Sequence, residues 1–111
     1  MSELTQRKCK PCEGGTSPMS ADEIKQHLAM IDNEWQVDED GKQISRAFKF
    51  RNYYHTTAFV NAVAWVAHRE DHHPDITFGY NQATVVYSTH AIGGLSENDF
   101  ICAAKIDALQ D

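Results

Sequence analysis

Residues 71–90 read DHHPDITFGYNQATVVYSTH, and this stretch decides the fold. Ile76, Phe78 and Tyr80 alternate with smaller or polar neighbours, the period of a half-buried strand. After the turn signal Asn81-Gln82, Ala83, Val85 and Tyr87 share one face of the next strand. Thr84, Val86 and Ser88 share the other. So short a turn makes the pair an antiparallel hairpin. Pro74 forces His73 out of the α region, so a helix arriving from the N-terminal side must stop before it. The hairpin then sets the start of its first strand beside the end of its second. His72 and His73 come next to His90.

The same periodicities organise the flanks. Upstream, Asn52 caps a helix over about residues 53–69, with Phe59, Val63 and Val66 flanked by Val60, Ala64 and Ala67 as a broad apolar face. Before it, Ile44, Phe48 and Phe50 share a strand face that Arg46 interrupts. Trp35 and Val37 form a shorter strand, and residues 38–41 (DEDG) turn between the two. Ser20 and Glu23 form a capping box for a first helix along Ile24, Leu28 and Ile31, expected to end at Asn33-Glu34. Downstream, residues 91–95 form a loop containing Gly93-Gly94. Ser96 and Asp99 are a second capping signature, ahead of a helix to about Leu109.

The order αββαββα predicts an α+β fold, a four-stranded antiparallel sheet with helices packed on one face. It predicts a single domain over residues 20–111 preceded by an irregular N-terminal arm, residues 1–19. The last helix is apolar almost all round over residues 100–104. A second surface to bury is therefore expected there, as in an oligomer.

Composition bounds the function. At 111 residues the chain suits one core. Lys and Arg number 10 against 16 Asp and Glu, a net charge of −6 that argues against tracking a phosphate backbone. No apolar run approaches the roughly 20 residues needed to cross a bilayer, and the N-terminus lacks a hydrophobic signal core. No nucleic-acid or membrane partner is expected, and the expected location is cytoplasmic. Cys9 and Cys12 form a C-x-x-C pair, and Cys102 stands apart. Reduced incidental thiols, half of a metal clip and a redox pair all remain open for them, although the surrounding Pro11, Gly14, Gly15 and Pro18 read as a flexible leader.

Histidine is the unusual feature: six in all, four of them at positions 68, 72, 73 and 90. An imidazole exchanges protons near neutrality, so His72, His73 and His90 at one sheet edge suit acid/base work on a substrate carrying its own leaving group. A solvated histidine pair is the bland alternative. A three-histidine metal site is disfavoured, because adjacent residues of an extended segment point to opposite faces. His68, one helical turn before His72, is an uncertain neighbour, and His27 and His55 read as ordinary surface residues.

The combination His72-His73-Pro74, Ser88-Thr89-His90, Gly94-Leu95-Ser96 and Asp99 resembles the pterin-4a-carbinolamine dehydratase family, from about Trp35 to the last helix. The resemblance implies dehydration of a 4a-hydroxytetrahydropterin to a quinonoid dihydropterin, which recycles the cofactor of aromatic amino acid hydroxylases. It implies a small-molecule pterin substrate, no cofactor and no metal, and a homodimer or homotetramer. It makes His72 the principal acid/base and His90 its assistant, with His73 orienting the pterin. Pro74, Ser88 and Thr89 would shape the pocket, and Asp71 would line it or orient an imidazole. Where many relatives carry Glu four residues before the first histidine, this chain has His68, and Glu70 is the nearest acid. A second reading is a non-catalytic interaction module, since animal members also bind a transcription factor's dimerisation helix.

Overall fold

Gln82–Tyr87 is the strand on which the rest of the molecule is assembled. The structure is a computed structural model, and it describes residues 3–10 and 17–110. In chain order the elements are α1 (Ala21–Leu28), β1 (Gln36–Val37), β2 (Ile44–Lys49), α2 (Tyr53–Glu70), β3 (Asp75–Phe78), β4 (Gln82–Tyr87) and α3 (Glu97–Asp107), with short 3-10 turns at Glu3–Gln6 and His90–Ile92. The sheet order is β1-β2-β4-β3, every pairing antiparallel. This is the expected α+β architecture with a four-stranded sheet.

The alternation seen in the sequence is the alternation observed. Ala83, Val85 and Tyr87 are fully buried, while Thr84 and Val86 on the other face are half-buried. Ile44 and Phe48 of β2 meet them on the inner face, and Phe59 and Val63 of α2 close over it. Arg46, which interrupts that face, is accommodated by an ion pair: its Nη1 lies 2.7 Å from Asp107 Oδ1, and its guanidinium covers the Phe48 ring at 4.4 Å. Trp35 donates its indole N–H to the same carboxylate at 2.8 Å, which ties β2, α3 and the loop before β1 together.

Three local expectations shift. Helix α1 stops at Leu28 rather than running to Asn33, and Met30 and Ile31 instead close turns on His27 and Leu28. β3 ends at Phe78, which leaves Tyr80 outside the strand and exposed. His27 is half-buried rather than on the surface: its ring packs against Phe100 at 5.2 Å.

The apolar surround of α3 has its explanation within the chain. Phe100, Ile101, Cys102, Ala103 and Ala104 are all buried, flanked by α1, α2 and the 3-10 turn Glu3–Gln6. The second surface expected to seek a partner is thus covered by the protein's own N-terminal arm. Leu4 in that turn has no exposed surface, and burying a leucine side chain contributes about 1.5–3 kcal/mol.

Candidate active site

The site begins with how α2 stops. Asp71, just past the last turn, takes the left-handed conformation at φ 51°, ψ 43°, the one non-glycine residue with positive φ among the described residues. Its N–H returns to Ala67 and His68, and the His72 N–H reaches the Ala67 carbonyl at 3.2 Å. This is the double closure that ends many helices, and Asp is one of the few side chains that tolerates it. The chain reverses there, Pro74 holds it extended, and β3 opens with Asp75 opposite Val86. On the facing strand β4 runs out into Ser88 and Thr89, and Thr89 bridges to Gly94 around the turn carrying His90.

His72 is therefore held from three sides. Its ring stacks on Tyr87, centroids 5.3 Å apart and planes 14° apart, while the Tyr87 hydroxyl donates to the His72 carbonyl at 3.2 Å. Its Nε2 lies 2.6 Å from Oδ1 of Asp99. The Asp99 side chain is fully buried, and its other oxygen accepts from the Thr89 hydroxyl at 2.8 Å and the Ser96 N–H at 3.0 Å. Thr89 spends its one hydrogen on Asp99, so in its 2.8 Å contact with Ser96 it accepts from the serine hydroxyl.

A carboxylate only accepts, so Nε2 carries the hydrogen toward Asp99 and Nδ1 is the nitrogen left for exchange. Burial opposes charging His72, but the Asp99 hydrogen bond and charge outweigh it and hold the imidazole above its ordinary value.

This pair backs a cleft of about 610 Å³, a volume within the range that takes small organic ligands. His72, His73 and His90 all line it, as do Asp71, Ser88 and Thr89. His73 and His90 are exposed at the rim, whereas His72 is set back with 12% of its side chain exposed. Two sequence-derived residues fall outside: Pro74 does not line the cleft, and His68 is exposed on α2, its ring beside Trp65 at 5.5 Å. Among the described residues no cluster of three or more His, Cys, Asp or Glu is arranged to hold a metal ion.

The opposite wall comes from the arm, which sequence reasoning left as a flexible leader. Cys9 and Lys10 line the cleft. The Cys9 N–H donates to Glu70 Oε1 at 2.9 Å, and Lys10 exchanges two hydrogen bonds with the Asn98 amide at 3.0 and 2.6 Å. The other Glu70 oxygen binds Lys105 at 3.1 Å. Burial alone would raise the Glu70 pKa, but the Cys9 N–H and the Lys105 ammonium prevail and hold it below the usual range. Both oxygens of Glu70, which itself lines the cleft, are thus engaged, one by the arm and one by α3.

Asp99 is the residue whose role the sequence obscured. As the third helical residue after Ser96 it is a capping acid, and it does bind the Ser96 N–H. That its second oxygen meets His72 becomes visible only once α3 is packed beside the hairpin.

The fold is thus an open antiparallel sheet on an α+β scaffold, with a buried imidazole–carboxylate pair at one edge of the sheet and two more imidazoles on the rim of the cleft. The family model described as Pterin 4 alpha carbinolamine dehydratase matches residues 17–109, and the chain belongs to that family. A relative from Nitrosomonas eutropha, named as a provisional pterin-4-alpha-carbinolamine dehydratase, is 61% identical over 107 residues, 96% of this chain and 93% of its own. A Legionella pneumophila relative of the same designation is 50% identical over 108 residues, 97% of this chain and 96% of its own. Among solved structures, a transcriptional coactivator/pterin dehydratase from Brucella melitensis is similar at a TM-score of 0.80 and 29% identity, covering 86% of this chain and all of that one. A pterin dehydratase-like protein described as a RuBisCO assembly factor in the alpha-carboxysome is similar at 0.61 and 27%, covering 68% and 88%. The family match begins at residue 17, near the end of the arm, whereas the two bacterial relatives leave at most four residues of this chain unmatched.

Proposed function

We propose that this chain is a hydro-lyase that converts a 4a-hydroxytetrahydropterin into a quinonoid dihydropterin and water. Family membership supports the reaction class. The single observation that carries the mechanism is the 2.6 Å contact of His72 with buried Asp99 at the back of the cleft. The reaction is an elimination: the C4a–O bond breaks, the C4a=N5 double bond forms, and N5 loses its proton to water, which balances the proton that the leaving hydroxyl takes up. The hydroxyl leaves as water only if protonated. His72 supplies that proton from Nδ1, because Asp99 keeps the imidazolium populated and its ring oriented. His90 assists from the opposite side of the pterin, and His73 at the rim binds and orients it. Ser88, Thr89 and Asp71 shape the pocket around it. A well-placed acid or base contributes about 10²–10⁴-fold, the size of effect that each removal tests.

The test is a coupled assay following quinonoid dihydropterin from a chemically prepared 4a-hydroxy substrate. His72→Gln is expected to slow dehydration by about 10²–10⁴-fold and His90→Ala by less, with unfolding temperatures close to wild type. Wild-type rates in both variants overturn the reading. The interaction-module alternative keeps the support of the Brucella melitensis neighbour, described as a transcriptional coactivator/pterin dehydratase, and predicts a partner-dependent phenotype that survives loss of His72.

A further inference from the structure

Cys9 and Cys102 approach across nearly the whole length of the chain. Their sulfurs are 3.6 Å apart and both are free thiols. Cys102 is completely buried on α3, while Cys9 is partly exposed and faces the cleft. The surrounding tethers hold the two in register: Glu70 and Asn98 fix the backbone on either side of the Cys9 side chain, and the Cys9 sulfur also reaches the Asn98 carbonyl at 3.6 Å. A disulfide needs sulfurs about 2 Å apart, a closure of roughly 1.5 Å that side-chain rotation and small backbone adjustment supply.

We propose that Cys9 and Cys102 are a reversible disulfide site, closed by a hydroperoxide, that fastens the N-terminal arm to α3 as a covalent wall of the cleft. One thiol attacks the peroxide: a sulfur–oxygen bond forms, the oxygen–oxygen bond breaks, and the leaving hydroxide takes the thiol proton as water. The second thiol attacks that sulfur. The sulfur–sulfur bond forms, the sulfur–oxygen bond breaks, and a second water leaves. Two thiols and one hydrogen peroxide thus give one disulfide and two waters, the sulfurs oxidised and the peroxide reduced by two electrons. The balance is the same whichever sulfur attacks first.

The pair is poised for this exchange. The contact between the sulfurs couples their protons, which favours ionisation of one thiol over both. Access comes from the cleft, where Cys9 stands. The site stands on the geometry alone; only its position beside a dehydration centre rests on the function proposed above.

The experiment treats the full chain with stoichiometric hydrogen peroxide and maps its peptides without reductant. A Cys9–Cys102 crosslink is expected, lost on adding a thiol reductant and retained in Cys12→Ser. Oxidation is also expected to slow amide exchange at Cys9 and Lys10 and to raise the unfolding temperature by several degrees, because the bond closes a loop spanning most of the chain. Cys102→Ser removes all three effects. Recovery of Cys9 joined to Cys12, of over-oxidised thiols without a crosslink, or of stoichiometric zinc on the thiols overturns the proposal. So does a crosslink that leaves arm exchange unchanged. None of these readouts depends on turnover, so failure here is separable from failure of the dehydratase reading.

Discussion

The two walls of the cleft are built on opposite principles. The histidine wall is fixed by a buried carboxylate with three donors around it, by ring stacking, and by a helix stop that admits one backbone conformation. The arm wall is an irregular segment anchored by Leu4 and held near the cleft by the tethers of Cys9 and Lys10. Orientation of a proton donor tolerates little slack, whereas a wall that only encloses a ligand tolerates release. The proposed chemistry therefore falls to the first wall, and enclosure of the ligand to the second.

Perturbing each wall separately breaks or sharpens this contrast. The largest effect is expected from Asp99→Asn, which keeps the volume but removes the charge behind His72. Loss of such an orienting partner typically costs about 10–100-fold in activity, and kcat/KM is expected to fall by that much with KM little changed. A loss carried by a rise in KM alone contradicts the division. Next is Glu70→Gln, which weakens the Cys9 and Lys105 contacts. It is expected to loosen arm docking by about 1–2 kcal/mol, seen as faster amide exchange at Cys9 and Lys10, with KM rising more than kcat falls. An equal loss in kcat would assign Glu70 to the chemistry after all.

Smallest is the helix stop. Asp71→Gly is expected to be within about 0.5 kcal/mol of wild type in urea unfolding, because glycine adopts the left-handed conformation freely. Asp71→Val is expected to lose about 1–2 kcal/mol and to displace His72, since a β-branched residue resists that conformation. Equal stability of the two variants would show that the stop does not depend on Asp71.

The same contrast separates what was legible in the sequence from what was not. The histidine wall could be read because a hairpin is a local object. Once Ile76 and Val85 are assigned to facing strands, the neighbourhood of His72, His73 and His90 follows from the turn. Pro74 marked the bend, though it does not itself reach the cleft. Asp99 was visible as a cap and as part of the family pattern but not as the partner of His72, since one carboxylate serving both Ser96 and His72 requires knowing where α3 packs. The arm carried no period at all. Leu4 and Cys9 are isolated apolar residues in a polar segment, and the glycines and prolines after them suggested mobility. Glu70 was weighed as an acid because its distance from His72 was known and its partners, Lys105 and the Cys9 N–H, were not. The surplus apolar surface of α3 was a correct signal, and within the chain α1, α2 and the arm all pack against it.

The central claim is that Asp99 holds His72 as the charged acid of the reaction, and the pH dependence of kcat/KM tests it most directly. An acid raised above its ordinary value stays charged below the ordinary imidazole pKa of about 6.5 and loses its proton only as pH climbs through the higher folded value. Wild-type activity is therefore expected to persist above pH of about 6.5 before declining. In Asp99→Asn, where burial acts without the opposing charge, the decline moves to lower pH. A decline at the same pH in both proteins, or one in the wild type at or below the ordinary imidazole value, would contradict the account.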